Sequence, residues 1–288
     1  MGFDRVRGTS TMTRRLFLAS LLAIAALGAG PARAQVSQPN QPLKLAMDVG
    51  FAPFAYRDGQ GKTVGFSVDF AQEIAKRLGR PGIEIIDQPY AGIFAGLFAR
   101  RYDFIIAPTN ITEERAKQML FTEPYMTTGL GFIIKLKDRL DVLEDLKGKA
   151  VAVSASSISD TWATENASKL GFAVQRYSKN ADAVQAVSAG RAVANVADLA
   201  VGEFVAKQRP RQLKLGYSLY TGRSFGIPFR PDDVAFRNQV ELIVEQMKAD
   251  GSLAKIYKKW FGKEPPAATA MTTVYEGFGP PGFPGYSR

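Results

Sequence analysis

An α/β fold in two units is what the sequence predicts, and three observations predict it. Short apolar strands alternate with amphipathic helices, the alternation restarts after Tyr125, and glycine- or proline-containing turns separate the segments. Alternation of this kind means parallel sheet, because two parallel neighbours need a crossover and a helix supplies it. Leu43-Lys44-Leu45-Ala46-Met47 reads as the first strand, and residues 50–65 read as a loop that turns at Asp58-Gly59. A helix follows, with Phe70, Ala71, Ile74, Ala75 and Leu78 at helical spacing, Ser67 as its N-cap and Gly79 as its stop. Strand 83–86, helix 93–100, strand 103–107 and helix 113–119 continue the pattern. After Tyr125 come strands 131–135 and 150–153, a helix after Ser157, helix 181–189, strand 192–196 and a helix after Asp198. Residues 234–247 form an amphipathic helix with Val240, Ile243, Val244 and Met247 on one face and Gly251 at its end, and helix 253–261 follows.

Compartment and chemistry are bounded by the first 34 residues and by two missing residue types. Arg14 and Arg15, the apolar run from Leu16 to Ala29, and Ala32-Arg33-Ala34 read as a secretory signal peptide with a small-x-small cleavage site. The run falls short of the ~20 apolar residues a membrane span needs, and no later segment comes closer. A mature chain starting near Gln35 is therefore expected in the periplasm. Thr13-Arg14-Arg15-Leu16-Phe17-Leu18 leaves the twin-arginine route open beside the general one, and Met12 is an alternative start. The chain has no cysteine, hence no disulfide, thiolate nucleophile or lipid-modified cysteine; it has no histidine, hence no Ser-His-Asp triad, imidazole acid/base or usual zinc site. These absences argue against an enzyme, and no cofactor is expected. Without the leader, which holds five Arg and one Asp, the net charge falls from +10 to +6. So mild and dispersed an excess describes a solvated surface rather than a nucleic-acid-binding one.

The last segment, residues 266–288, is rich in glycine, proline and aromatics and can be neither regular helix nor interior strand. It is either disordered or laid across the surface by its aromatics.

Five stretches in order resemble the family 3 solute-binding proteins, the periplasmic receptors for glutamine, histidine and lysine/arginine/ornithine. They are Asp48-Val49-Gly50-Phe51-Ala52-Pro53-Phe54, Gly65-Phe66-Ser67-Val68-Asp69-Phe70, Ile111-Thr112-Glu113-Glu114-Arg115, residues 145–153 from Asp145-Leu146-Lys147-Gly148, and Asp250-Gly251-Ser252 through Trp260-Phe261-Gly262. The resemblance implies a type II two-lobed periplasmic-binding-protein fold whose hinge is two crossing strands. Lobe I would be residues 36–125 and 225–265, lobe II with the hinge strands 126–224, and the tail 266–288. It further implies a monomer that binds a polar or basic L-amino acid between closing lobes, with an ABC permease and its ATPase as partners.

A free amino acid carries a carboxylate and an ammonium on one carbon, so a dry cleft must offer a donor fork and an anion. By the resemblance Arg115 supplies the fork, although alone it reads as a solvated arginine in a helix's first turn. Asp198 is the corresponding anion for the ammonium, and otherwise an ordinary N-cap. Ser154, Ser156 and Ser157 precede a helix, so their amides and hydroxyls hold the carboxylate from lobe II or merely start that helix. Asn110 and the carbonyl of Pro108 face the ligand from lobe I, where Pro108 removes an amide donor. Phe51 and Tyr90, in loops after strands, sandwich the aliphatic part, and Asp48 receives a basic or amide side chain. Two rivals remain: a receptor for another solute or for a dehydrogenase partner, and a dehydratase-like enzyme resting on Glu113 or Glu114.

Overall fold

The computed structural model describes residues 37–288, so the expected signal peptide and its expected cleavage site lie outside the described residues. Among the described residues, no helix is long and apolar enough to cross a membrane.

The first sheet grows from β1 (Leu43–Met47), which is central and buried at Leu43, Leu45, Ala46 and Met47. A strand covered on both faces loses the usual polar alternation, and this one has. A small hairpin, β2 (Tyr56–Arg57) and β3 (Thr63–Val64), fills the loop that turns at Asp58-Gly59. Then come α1 (Phe66–Arg77), β4 (Ile83–Asp87), α2 (Tyr90–Phe98) and β5 (Phe104–Ile105). β4 and β5 flank β1 in parallel, giving the order β4-β1-β5. Gly65, at φ 145°, is the N-cap of α1, and any Cβ there would run into the carbonyl of Phe54. The helix thus begins at Phe66 and Ser67 is inside it, buried, so the predicted cap at Ser67 is corrected: glycine turns the chain, and no side chain caps.

β6 (Thr109–Asn110), the one-turn α3 (Glu113–Ala116) and β7 (Leu120–Phe121) lead to β8 (Met126–Lys135). The second sheet adds β9 (Ala150–Ser154), α4 (Ile158–Leu170), β10 (Ala173–Tyr177), α5 (Asn180–Ser188), β11 (Ala194–Asp198), α6 (Leu199–Gln208) and β12 (Leu213–Gly226). Its order is β10-β9-β11-β8-β12-β6. Strands β8 and β12 pair antiparallel along nearly their whole length and carry the chain between the two lobes, with β6 of lobe I paired to the end of β12. The register of that pair shifts between Tyr220 and Arg223, where Thr221 and Gly222 stand outside it. β13 (Pro228–Phe229), α7 (Val234–Ala249) and α8 (Ser252–Phe261) return the chain to lobe I, β13 pairing with β7. Lobe I is held by one large aromatic core: Phe54 meets Phe66, Phe225 and Phe261 edge-on at 5.8–5.9 Å.

The tail lies across lobe I. Ala270 and Met271 are buried, Phe278 and Ser287 form a bridge, and the backbone ties into a buried set of charges. Tyr275 N donates to Glu123 and Gly279 N to Glu241, while Lys248 Nζ donates to the carbonyls of Pro124 and Thr273. Burying Glu123 and Glu241 is tolerable because Lys248 pairs with Glu123 at 2.6 Å and Arg237 faces Glu241 at 3.7 Å.

Candidate ligand-binding cleft

Between the lobes the strand ends of β1, β6 and β9, the end of β11 and the starts of α2, α4 and α5 surround a cleft of about 550 Å³, open rim included. This is where α/β sheets place ligands, outside the carboxyl ends of their strands. Asp48, Phe51, Tyr90, Pro108, Asn110, Ser154, Ser157 and Asp198 all line it.

Asp48 follows the last residue of β1 and is 4 % exposed, with Oδ1 making no hydrogen bond. Burial raises its pKa to about 6; Lys179 opposes the shift and Asp87 adds to it. Asp198 is the last residue of β11, two residues later than the predicted strand end, because the strand runs 194–198 rather than 192–196. It precedes α6 but makes no capping hydrogen bond; its carboxylate turns into the cleft and accepts from Thr128 Oγ1 at 3.1 Å and Asn110 Nδ2 at 3.5 Å. Burial lifts its pKa to about 6, against the pull of those two hydrogen bonds and of Arg115.

Arg115 stands at the rim and is not among the lining residues. Its Nη1 donates to the Asn110 carbonyl at 3.0 Å, and its Nη2 donates across the cleft to the Ser156 carbonyl at 3.3 Å. The guanidinium carbon sits 5.1 Å from the Phe94 ring centre and 5.9 Å from that of Tyr90. Tyr90 is the first residue of α2, which starts three residues earlier than predicted, so it faces the cleft from a helix end and not from a loop. Phe51 stacks on Phe54 at 5.8 Å.

The three serines divide. Ser154 Oγ is buried in the cleft and without a partner. Ser157 lines it too, but its oxygen accepts the Asp160 amide and caps α4, so both of its readings hold in part. Ser156, exposed with φ 62°, spends its amide on Asp160, which removes it as an amide donor to a ligand. Sequence reasoning missed Ser67, whose buried Oγ has no partner, as well as Ser159 and Asn180. The signal for Ser67 was present in the Gly65-to-Phe70 stretch but was assigned to capping.

Four buried polar atoms without hydrogen bonds, Asp48 Oδ1, Ser67 Oγ, Asn110 Oδ1 and Ser154 Oγ, belong to residues lining this one cleft. Each costs about 1–3 kcal/mol if left dry, so the surface is built for a polar occupant. Two further links cross between the lobes: Lys179 Nζ bonds both oxygens of Asp87 at 2.8 and 3.0 Å, and Lys263 pairs with Glu203 at 3.3 Å. Glu113 and Glu114 are exposed, and Glu113 is paired with Lys117.

Residues 43–263 match the family model described as bacterial extracellular solute-binding proteins, family 3. A probable amino-acid ABC transporter-binding protein of Haemophilus influenzae is 31% identical over 228 residues, 78% of this chain and 86% of that protein. The solved structure of an ancestral arginine-binding protein bound to arginine superposes with TM-score 0.74 at 35% identity, covering 78% of this chain and all of the other. An ancestral amino acid-binding protein, described as a precursor of cyclohexadienyl dehydratase, gives 0.70 at 32% identity over 76% of this chain and 95% of its own.

Proposed function

The chain belongs to family 3 of the bacterial extracellular solute-binding proteins, and from that membership we propose that it is the periplasmic receptor of an ABC importer for an L-amino acid with a basic or amide side chain. The observation that carries this reading is the pair of buried carboxylates, Asp48 and Asp198, facing one cleft whose rim holds Arg115. Both acids have raised pKa values because burial outweighs the opposing pull of Lys179 on Asp48 and of Thr128, Asn110 and Arg115 on Asp198. A zwitterion with a second cationic or amide group supplies both: its ammonium meets Asp198, its side chain meets Asp48, and its carboxylate meets the guanidinium of Arg115 and the hydroxyl of Ser154. The rings of Phe51 and Tyr90 flank the carbon chain between. An acidic side chain would instead stand beside Asp48 as an unpaired like charge. In this reading the two acids bind charge and transfer no proton to a reacting bond, and the receptor is a free monomer that delivers its ligand unchanged to a permease and its ATPase.

A melting-temperature screen against the common amino acids tests it, followed by calorimetry and recovery of the bound ligand. A ligand at a hundred times its dissociation constant adds about 2.7 kcal/mol of stability. Arginine, lysine, histidine or glutamine should head the ranking and glutamate and aspartate close it. A preference for glutamate, or recovery of a converted product, would overturn the reading.

A further inference from the structure

The match to the family model ends at residue 263, and the tail beyond it reaches the segment that carries Arg115. α3 has four residues, too few to sustain a helix alone, and its one side-chain cap is Thr112 Oγ1 accepting from Arg115 N. What seats it is a small core of its own, Ile111, Ala116, Met119 and Phe121, separate from the large core of lobe I. Two outside rings pack against that core: Phe94 and Phe283. Phe94 is the ring over which the Arg115 guanidinium lies, and Phe283 comes from the tail. Phe283 is itself fixed by a turn onto Pro280 and by Arg237, whose Nη1 bonds the carbonyl of Phe121 at 2.9 Å and that of Gly285 at 3.3 Å.

We propose that the C-terminal segment, through Phe283, is a positioning element for Arg115. The ring closes the far side of the core on which α3 rests, so that the guanidinium is presented to the cleft at a fixed height over Phe94. The helix is too short and its core too small to hold that height without the tail's contribution. The inference rests on the assignment of Arg115 to the ligand carboxylate in its binding consequence, but not in its structural one.

Full-length protein serves for the test, with L-arginine as the probe in calorimetry and backbone hydrogen exchange as a second measurement. Phe283→Ala should weaken arginine binding about tenfold, Phe283→Leu should restore most of it, and exchange should quicken in residues 111–119 but not in 194–198. In an Arg115→Lys background, which has lost the fork, the same Phe283→Ala change should cost much less. Equal costs in the two backgrounds, or unchanged binding by folded Phe283→Ala, overturn the proposal. If Phe283→Ala does not fold, Phe283→Leu carries the same comparison with a smaller expected loss. If the wild-type protein binds no amino acid, the receptor reading fails by itself, and the exchange rates of 111–119 still decide this one.

Discussion

Two places in this chain bury carboxylates, and they solve the problem in opposite ways. Under the tail, Glu123 and Glu241 are completely buried, but Lys248 and Arg237 stand against them and the amides of Tyr275 and Gly279 donate to them. In the cleft, Asp48 and Asp198 are nearly as buried; Asp198 is met by one threonine and one asparagine, while Asp48 has a backbone amide of Asn180 and only the more distant charge of Lys179, which is bonded to Asp87. The first arrangement has its counter-charges built in, even though burial still raises the pKa of Glu241 to about 7, and removing one of them leaves a naked charge. The second is left incomplete, and its completion is what a ligand would do. Burial alone therefore does not distinguish a structural ion cluster from a site; what matters is whether the counter-charge is built in.

The comparison can be broken most severely at Lys248. Lys248→Met should cost about 3–5 kcal/mol of folding stability, because Glu123 is stranded without its cation; denaturant unfolding reads this, and a loss below 1 kcal/mol would show the cluster to be no different from the cleft. At the other end of the chain's charge economy, Asp198→Asn should weaken binding of the best amino acid about a hundredfold without lowering the melting temperature of the ligand-free protein, since the side chain caps nothing and a buried charge is removed. Calorimetry beside a melting curve separates the two effects. A fall in melting temperature with unchanged affinity would reverse the assignment.

Sign offers a sharper contrast than size. At pH 8 Asp48→Asn should stabilise the ligand-free protein by about 1–2 kcal/mol, as it removes a buried charge without a dedicated partner, whereas Glu123→Gln should destabilise it. If both substitutions shift the melting temperature the same way, the distinction between the regions is lost. The smallest effect comes from pH. Asp198 has a folded pKa raised from 3.8 to about 6, so the ligand-free fold holds that proton more tightly than the unfolded chain does. Its contribution favours the fold below about pH 4 and is lost as pH rises through 6, and Asp48 behaves alike. Binding an ammonium needs the ionised form, so affinity should fall about tenfold between pH 7 and pH 5, a titration that calorimetry follows directly. Affinity that stays flat over this range would mean that Asp198 is already ionised or does not meet the ammonium.

Most of lobe I was legible because its signals are local. Leu43–Met47 is apolar on both faces, and helices 234–249 and 252–261 carry clear apolar stripes, so period and length suffice. Of β12 only the hinge crossing at residues 221–225 is expected from the resemblance; its earlier length is not, since Leu213–Gly226 mixes glycine, lysine and serine and is held by its long pairing with β8, a contact remote in sequence. β10 escaped for a related reason: Ala173–Tyr177 is an edge strand, half-exposed. In the cleft, the residues that line it were findable from motif stretches that end strands. What the sequence could not show is division of labour: that Ser157 is already employed as a cap while Ser154 is free, that Ser67 faces the cleft from inside a helix, or that Arg115 depends on a core with a tail phenylalanine in its wall.

The irregularity between Tyr220 and Arg223 gives the crossing strands some slack. Thr221 and Gly222, the latter at φ 66°, sit outside the ladder where the chain passes from one lobe to the other. Thr221 is moored by its hydroxyl to the Thr128 carbonyl and the Arg223 amide, at 3.4 Å each. A belt with two spare links at the fold line can flex there without unbuckling a rung on either side, because no rung crosses that point. A swing of one lobe on the other would thereby be uncoupled from the integrity of the sheet that joins them.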